Sequence, residues 1–418
     1  MTAPETTHQV RRRRVFYIPG YDPIHPRRYR ELYRKEGADQ AAISGYSIGL
    51  APKKGGGPYG WHVNATIAGA QVAADVEVLV WSDIVRGSMA TSIPATYLQL
   101  VRTAWTYIAS GALRRLMWLR KGPVIAALYP VGMLILQLIV AVCAGALAAG
   151  LLIWGINSVL GMAGLALGPV TPFLYWPVLL VVMTLVLRWF KAKDSTFFAY
   201  YLMHDYAYSA QSGGANPPAL EVRMAQFGDV IASALVQDYD EVLVVGHSSG
   251  AHLAVSILAD LIRAGRVSDG PALGFLSLGQ VVPMVSFLPR AYRLRADLAY
   301  LSARPEVTWV DVTAPGDGCA FALCDPVAVS GVAPPGKLWP LVFSAAFTQT
   351  LSPERWKQLR WKFFRLHFQY LCAFDQPGDY DYFQITAVPL TLSQRYAGRP
   401  QSKSRIDVPA SKYTSMAA

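Results

Sequence analysis

A short stretch of glycine, histidine and serine, Gly246-His247-Ser248-Ser249-Gly250, is the part of the sequence best suited to covalent chemistry. The apolar residues 242–245 lead into it, and an amphipathic segment follows directly. A serine held at a sharp turn between a strand and a helix has a strained backbone and an exposed hydroxyl. Gly246 and Gly250 remove side chains that would collide with such a turn. The stretch therefore predicts that Ser248 is a nucleophile; the alternative is a small-residue loop without chemistry.

Strand-like and helix-like segments alternate on both sides of this turn. Because such alternation is typical of a mainly parallel sheet covered by helices, we predict one α/β domain. The predicted strands are 15–18, 61–67, 76–81, 242–245, 273–278 and 307–312, and the predicted helices are 28–42, 227–236 and 251–264.

The apolar strand, the Gly-His-Ser-Ser-Gly turn and the helix after it resemble the nucleophile elbow of the α/β-hydrolase superfamily, in particular of its esterase and lipase branches. The resemblance covers roughly residues 15–390 apart from an inserted apolar segment, and it is specific at the elbow and weaker elsewhere. It implies the α/β-hydrolase fold and a catalytic triad in the chain order nucleophile, acid, histidine.

That order restricts the choice of the catalytic histidine, since only His252 and His367 follow Ser248. His252 lies one turn further along the elbow helix itself, and His247 is adjacent to the serine and should point away from it. His367, in an aromatic segment, is therefore the predicted base. The alternative is a histidine that only packs on an aromatic helix face.

The acid of such a triad lies on the loop after a late strand. Residues 307–312 are that strand, and Asp317 follows between two glycines. Asp317 is therefore the predicted acid, with Asp311 and Asp325 as fallbacks and a plain Asp-Gly turn as the alternative.

The oxyanion hole needs two backbone N–H groups directed at the developing negative charge. The resemblance assigns one to Ser249 and the other to Tyr21, which follows Pro19-Gly20 where the family commonly has His-Gly. His367 would then take the proton of Ser248 as the serine attacks an acyl carbonyl, and Asp317 would stabilise the imidazolium. Water would release the acyl group.

An apolar run from Gly122 to Leu187 contains no Asp, Glu, Lys, Arg or His. A bilayer-spanning helix needs about 20 apolar residues, so we predict two transmembrane helices, at about 124–156 and 170–187. A glycine- and proline-containing turn without charge joins them. The alternative is a helical pair buried in a large soluble core.

The charges that flank this hairpin predict its orientation. Arg114, Arg115, Arg120 and Lys121 precede the first span, and Arg188, Lys191 and Lys193 follow the second. Because basic residues stay on the cytoplasmic side, we predict a protein of the cytoplasmic membrane whose catalytic domain is cytoplasmic.

The segment 95–118 before the hairpin is predicted to be one amphipathic helix. Its apolar face, which lies along the membrane interface or packs in a core, contains Leu98, Val101, Trp105 and Ile108.

The net charge of +11 raises the possibility of a nucleic-acid partner. No nucleic-acid-binding module is recognisable, so we predict no such partner and attribute the charge to an anionic leaflet. The glycine-rich residues 53–57 match no nucleotide-binding loop, and no His-Glu-x-x-His pattern occurs. Cys319, Cys324 and Cys372 are expected to make no metal-type pairing with histidines. We therefore predict neither a cofactor nor a metal.

The predicted organisation has five parts. They are a basic N-terminal tail (1–14), the first part of the hydrolase core (15–94), the insertion (95–193), the second part of the core with the catalytic residues (194–396) and a flexible C-terminal tail (397–418). The sequence predicts a membrane-anchored serine hydrolase that cleaves acyl esters, in particular lipid-like ones. A serine acyltransferase or thioesterase with the same triad, or a non-catalytic membrane scaffold, are the alternatives.

Overall fold

The computed structural model describes residues 9–89, 92–267 and 270–418, so most of the predicted N-terminal tail, residues 1–8, lies outside them. Within the described residues, eight strands form one sheet in the order β2-β3-β4-β1-β5-β6-β7-β8. The strands are β1 (Arg12–Ile18), β2 (Ser47–Pro52), β3 (Gly60–Ile67), β4 (Ala70–Val78), β5 (Glu241–His247), β6 (Ala272–Leu278), β7 (Thr308–Thr313) and β8 (Leu341–Ser344).

The sheet is parallel from β4 through β1 and β5 to β8, and antiparallel only where β2 pairs with β3 and β3 with β4. The prediction of a mainly parallel α/β sheet is therefore confirmed. The strands β2 and β8 were not predicted.

Helices cover the sheet and fill the long connection between β4 and β5. They are α1 (Arg27–Ser44), α2 (Ser82–Ser88), α3 (Ile93–Ala109), α4 (Ala112–Leu119), α5 (Lys121–Met162), α6 (Thr171–Ala192), α7 (Asp194–Phe197), α8 (Ala199–Ala210), α9 (Pro218–Leu235), α10 (Ser249–Arg263), α11 (Val282–Ser286), α12 (Tyr292–Ser302), α13 (Pro326–Val329), α14 (Phe347–Thr350), α15 (Pro353–Leu359), α16 (Phe363–His367), α17 (Tyr382–Ala387) and α18 (Leu392–Arg395), with 3₁₀ turns at Gly168–Val170 and Gln369–Leu371.

The central strand β5 is buried along its whole length, as expected for a parallel strand covered on both faces. Its residues Leu243 and Val245 belong to one core layer together with alternate residues of β6 and β7. Burying each such side chain contributes roughly 1.5–3 kcal/mol to the free energy of unfolding. This packing fixes the position of the end of β5 and therefore of the turn that follows it.

Residues 12–14 were predicted to belong to a tail, but they form the start of β1. Arg13 is fully buried, and its Nε donates to Glu241 Oε2 over 2.6 Å. Arg13 also donates to the carbonyl oxygens of Val388 and Leu390. A buried charge of this kind is tolerated because it is paired and hydrogen-bonded, and a sequence pattern does not reveal such pairing.

The predicted flexible C-terminal tail (397–418) is instead packed along the edge strand β8. Ser402 N–H donates to Val342 O, and Gln401 Oε1 accepts from Val342 N–H. Ala410 is buried, and its carbonyl oxygen accepts a hydrogen bond from Arg115. The segment therefore satisfies backbone groups that an uncovered sheet edge would leave unpaired.

The chain forms two compact units. One comprises Met1–Gly87, Thr106–Val124 and Ser209–Ala418 and contains the sheet; the other comprises Ser88–Trp105 and Ile125–Tyr208. The second unit begins earlier and ends later than the predicted insertion (95–193), and residues 106–124 belong to the first unit.

Two helices are long and apolar enough to span a membrane, Lys121–Met162, which lies in the second unit from Ile125 onward, and Gly168–Ala192. Only 22% and 11% of their most apolar windows are buried, so the described chain does not enclose them as it would a helical pair of a soluble core. The first helix is about 60 Å long, roughly twice the thickness of a bilayer core.

The predicted amphipathic helix 95–118 is two helices, α3 and α4, because the chain breaks at Gly111, whose φ is +75°. The predicted apolar face of α3 is not packed in a core, and its exposed side chains are Leu98, Val101, Trp105 and Ile108.

Candidate active site

Ser248 occupies the turn between β5 and α10 with φ +56° and ψ −121°. A positive φ is strained for any residue with a Cβ atom and persists only where the surroundings impose it. The neighbouring glycines provide the space: a Cβ atom at Gly250 would lie 2.1 Å from Ile18 O, and one at Gly246 2.7 Å from Ala251 Cα. The turn therefore has the strain and the close backbone approach that the sequence predicts for a nucleophile.

The loop after β1 passes close to this serine. A Cβ atom at Gly20 would lie 3.0 Å from Ser248 Cβ and 3.4 Å from its Oγ, so only glycine fits without displacement. Trp81 Nε1 donates to Pro19 O over 3.0 Å, and the buried phenol of Tyr21 donates to Val85 O. The loop is thus held rigidly beside Ser248.

Ser249 is the first residue of α10, so its N–H has no partner within the helix. The amide lies next to the nucleophile, at the helix end where the aligned peptide dipoles favour negative charge. The predicted oxyanion residue Ser249 therefore directly follows Ser248, and the predicted residue Tyr21 follows Gly20 in the loop that passes Ser248.

His367 and Asp317 form a buried pair. His367 Nδ1 and Asp317 Oδ2 are 2.7 Å apart, and the two side chains are almost completely shielded from solvent. Asp317 also accepts hydrogen bonds from Cys319 N–H at 2.9 Å and from the Tyr370 phenol at 3.0 Å. Burial raises the pKa of Tyr370 well above its usual 10, so this phenol stays protonated and remains a donor.

The other ring nitrogen of His367, Nε2, is buried and has no hydrogen-bond partner in the part of the chain that the structure describes. The end of β6 brings this ring into the neighbourhood of the elbow. Ser248 N–H donates to Leu278 O over 2.9 Å, and a Cβ atom at the next residue, Gly279, would lie 3.0 Å from His367 Cε1. The ring thus lies in the neighbourhood of the elbow, but no hydrogen bond joins His367 Nε2 to Ser248 Oγ in the described residues. A general base must come within hydrogen-bond reach of the proton it takes, and such contacts often tighten only when substrate binds.

The two fallback acids have other partners. Asp311 is buried in β7 and accepts a hydrogen bond from Ser277 Oγ. Burial raises the pKa of Asp311 to about 8. Asp325 caps α13 through Val327 N–H and Ala328 N–H and forms an ion pair with Lys337. Of the three aspartates, Asp317 is the one hydrogen-bonded to His367.

His247 has a role that the sequence did not reveal, since it was expected only to point away from the serine. Its Nε2 lies 3.0 Å from the carbonyl oxygen of His367, and its Nδ1 lies 3.3 Å from the Tyr17 hydroxyl. Because a carbonyl can only accept, Nε2 carries the proton and Nδ1 accepts from Tyr17. Burial, followed by the nearby His367, holds the pKa of His247 well below 6.5. His247 is thus a neutral ring that holds the backbone of the predicted base.

Cys319 was expected to make no metal-type pairing with a histidine, but the structure places it in such a group. Potential ligand atoms of Asp317, Cys319 and His367 all lie within 4.8 Å of one another. These residue types can hold a metal ion such as Zn²⁺. The contact that the structure contains is the direct hydrogen bond between Asp317 and His367.

Comparisons of the chain with protein-family models, with curated proteins and with solved structures give no match. A strained serine beside a backbone N–H, together with a buried histidine–carboxylate pair, is an arrangement that can transfer an acyl group. The geometry of the site is therefore what supports a function.

Proposed function

We propose that the protein is a membrane-anchored serine hydrolase of α/β-hydrolase fold that cleaves acyl esters through Ser248, His367 and Asp317. The observation that carries the proposal is the strained elbow serine in the same α/β unit as a buried His367–Asp317 pair. The chain order serine, acid, histidine agrees with the resemblance to α/β-hydrolases. Ser248 combines a positive φ with ψ −121°, a strained conformation of the kind that clusters at functional sites, which favours chemistry over a scaffold role.

In the proposed reaction, Ser248 Oγ attacks the carbonyl carbon of the ester while His367 Nε2 accepts the hydroxyl proton. The carbonyl electron pair moves to oxygen, where the N–H groups of Ser249 and Tyr21 stabilise it. When the intermediate collapses, His367 returns the proton to the leaving alcohol. Water repeats the sequence on the acyl-enzyme and releases the acid.

Asp317 acts on His367 in two ways in this scheme. It accepts from Nδ1–H, which leaves Nε2 as the basic nitrogen, and its negative charge stabilises the imidazolium. Tyr370 and the Cys319 amide hold the carboxylate in place. His247 is a positioning residue, since it contacts the backbone of His367 rather than the reacting atoms.

A lipid-like substrate is supported by where the apolar insertion begins. Strands β4 and β5 both run parallel to β1, so the chain leaves β4 at the same sheet edge where Ser248 follows β5. Ligands of open α/β sheets bind at that edge. At the start of α5, a Cβ atom at Gly122 would lie 3.4 Å from Gly318 O, next to the predicted acid. The helix that becomes the first apolar span thus begins beside the acid loop.

The proposed location is the cytoplasmic membrane with the α/β unit in the cytoplasm, because basic residues flank the hairpin and none lies in its turn. The proposed partners are membrane lipids and an acyl-ester substrate.

A panel of p-nitrophenyl esters of increasing acyl length tests the proposed activity on the purified protein in detergent. We expect hydrolysis that rises with chain length and is lost in Ser248→Ala. Absence of hydrolysis for every ester, or equal rates for the wild type and Ser248→Ala, would contradict the proposal. A preference for the shortest ester would contradict only the lipid-like substrate.

A further inference from the structure

Residues 353–367, here called the basic-aromatic segment, comprise α15, α16 and the turn between them. The segment carries five Lys or Arg residues and one Glu. Four of the cations are exposed and form no ion pair within the described part of the chain: Lys357, Arg360, Lys362 and Arg365. Two large aromatic residues are also exposed, Trp361 at 72% and Phe363 at 44%.

The basic-aromatic segment packs directly on the loop of the predicted acid. A Cβ atom at Gly316 would lie 2.7 Å from Trp356 Cη2, and one at Gly318 would lie 3.1 Å from Phe363 Cδ1. The glycines on both sides of Asp317 therefore make room for aromatic rings of the segment. Its last residue is His367, so the segment connects the acid loop to the predicted base.

The exposed side chains have the composition of a surface that binds the membrane interface. Aromatic rings favour the headgroup region, and Lys and Arg are attracted to anionic lipids. The Arg360 guanidinium lies 5.5 Å from the centre of the Trp361 ring, so cation and aromatic face form one patch. An exposed patch of this kind is unusual on a surface that meets only water.

The position of the segment indicates which anionic partner it meets. Gly318 is the neighbour both of Phe363 in the segment and of Gly122 in the first turn of α5. The chain enters its first apolar span from that turn. The start of α5 and the patch therefore adjoin the same loop, and this continuity favours the headgroup layer that flanks the span over a nucleic acid or an acidic protein.

From this charge complementarity and continuity with the span, we infer that the basic-aromatic segment is a docking surface for the anionic lipid headgroup layer. Trp361 and Phe363 enter the interface, and Lys357, Arg360 and Lys362 bind lipid phosphates and carboxylates. This inference goes beyond ester hydrolysis and rests only on the membrane anchoring of the proposed function. The docked segment would hold the site at the lipid surface.

The test uses the full-length chain carrying Ser248→Ala, so that catalysis plays no part in the result. Trp361→Cys in a background without the native cysteines carries an environment-sensitive fluorophore. The protein is reconstituted in phosphatidylcholine vesicles with or without phosphatidylserine. We expect a blue shift and about threefold weaker quenching by an aqueous quencher when phosphatidylserine is present. Raising the salt concentration should reverse both changes, because salt screens surface charges.

The variant Lys357→Gln/Arg360→Gln/Lys362→Gln should lose the response to phosphatidylserine. A control variant with the same change at three exposed lysines outside the segment, Lys54, Lys403 and Lys412, should keep it. Identical spectra in both kinds of vesicle, or equal loss in both variants, would overturn the inference. The salt titration uses the labelled protein with all its lysines and arginines in place, so its result does not depend on whether either glutamine variant folds. Protein that fails to float with the vesicles would instead refute the membrane anchoring.

Discussion

Replacing Asp317 by Asn is the substitution that separates the proposed triad from an accidental cluster most clearly. We expect the kcat for acyl-ester hydrolysis to fall about a thousandfold while KM changes little. The physical reason is that, in the proposed mechanism, a positive charge develops on His367 as it takes the serine proton, so the carboxylate stabilises the transition state and hardly affects substrate binding.

The size of the effect follows from the geometry of the pair. With Nδ1 and Oδ2 2.7 Å apart, the charge centres are separated by about 4 Å, which corresponds to about 4 kcal/mol at an effective dielectric constant near 20. At 1.36 kcal/mol for each factor of ten, this is roughly a thousandfold in rate. An Asn amide that donates to Nδ1 would also leave the proton on Nε2, which lowers the rate further.

The assay is steady-state hydrolysis of a long-chain p-nitrophenyl ester in detergent, with thermal unfolding measured on each protein. Asp311→Asn is the matched control, because it makes the same change in another buried carboxyl group that is hydrogen-bonded to Ser277 rather than to His367. This control should keep its kcat within about twofold. Full activity of Asp317→Asn, or an equal loss in the control, would refute the role given to Asp317.

Three further predictions concern the elbow, a buried carboxyl group and the topology. Gly250→Ala should lower the thermal midpoint of unfolding and abolish labelling by a fluorophosphonate, because its Cβ atom would lie 2.1 Å from Ile18 O. In the control Gly155→Ala, the added Cβ atom meets open space, so neither quantity should change. A Gly250→Ala protein that is still labelled would contradict the elbow geometry. The pKa of Asp311 is raised to about 8, so between about pH 4 and 8 the unfolded chain releases a proton that the folded chain keeps, and stability falls as pH rises. Asp311→Asn should remove this slope and gain stability over the wild type by about 1 kcal/mol per pH unit across that window; a pH-independent difference in unfolding free energy would disprove this. In a cysteine-free background, Asn157→Cys should react with an impermeant maleimide outside intact cells and Ser195→Cys should not, and the reverse pattern would disprove the proposed orientation.

The elements around the elbow could be predicted because local signals decide them. Strand β5 is a continuous apolar run, α10 follows with helical periodicity, and Gly246 and Gly250 mark the turn between them. Asp317 and His367 could be selected from the chain order that the resemblance to α/β-hydrolases implies, and the structure joins their side chains by a hydrogen bond. Predicting these features requires no knowledge of contacts between residues that are distant in the chain.

What could not be predicted depends on partners far away in the chain. His247 lies 120 residues from the carbonyl oxygen of His367 that it binds, and the proton on its Nε2 is fixed only by that contact. Arg13 belongs to the core only because Glu241 lies beside it. The strand β2 lies at the edge of the sheet, where exposed residues interrupt the apolar pattern, and residues 397–418 are ordered by the edge of β8 rather than by their own composition.

Covalent labelling of the purified protein by a fluorophosphonate, followed by mass spectrometry of the digested chain, tests the central claim most directly. The proposed chemistry predicts a single adduct on the peptide that contains Ser248, because Ser248 is the one serine with a positive φ among the described residues. Ser248→Ala should carry no adduct. An adduct on another residue, or equal labelling of the wild type and Ser248→Ala, would contradict the claim that Ser248 is the nucleophile.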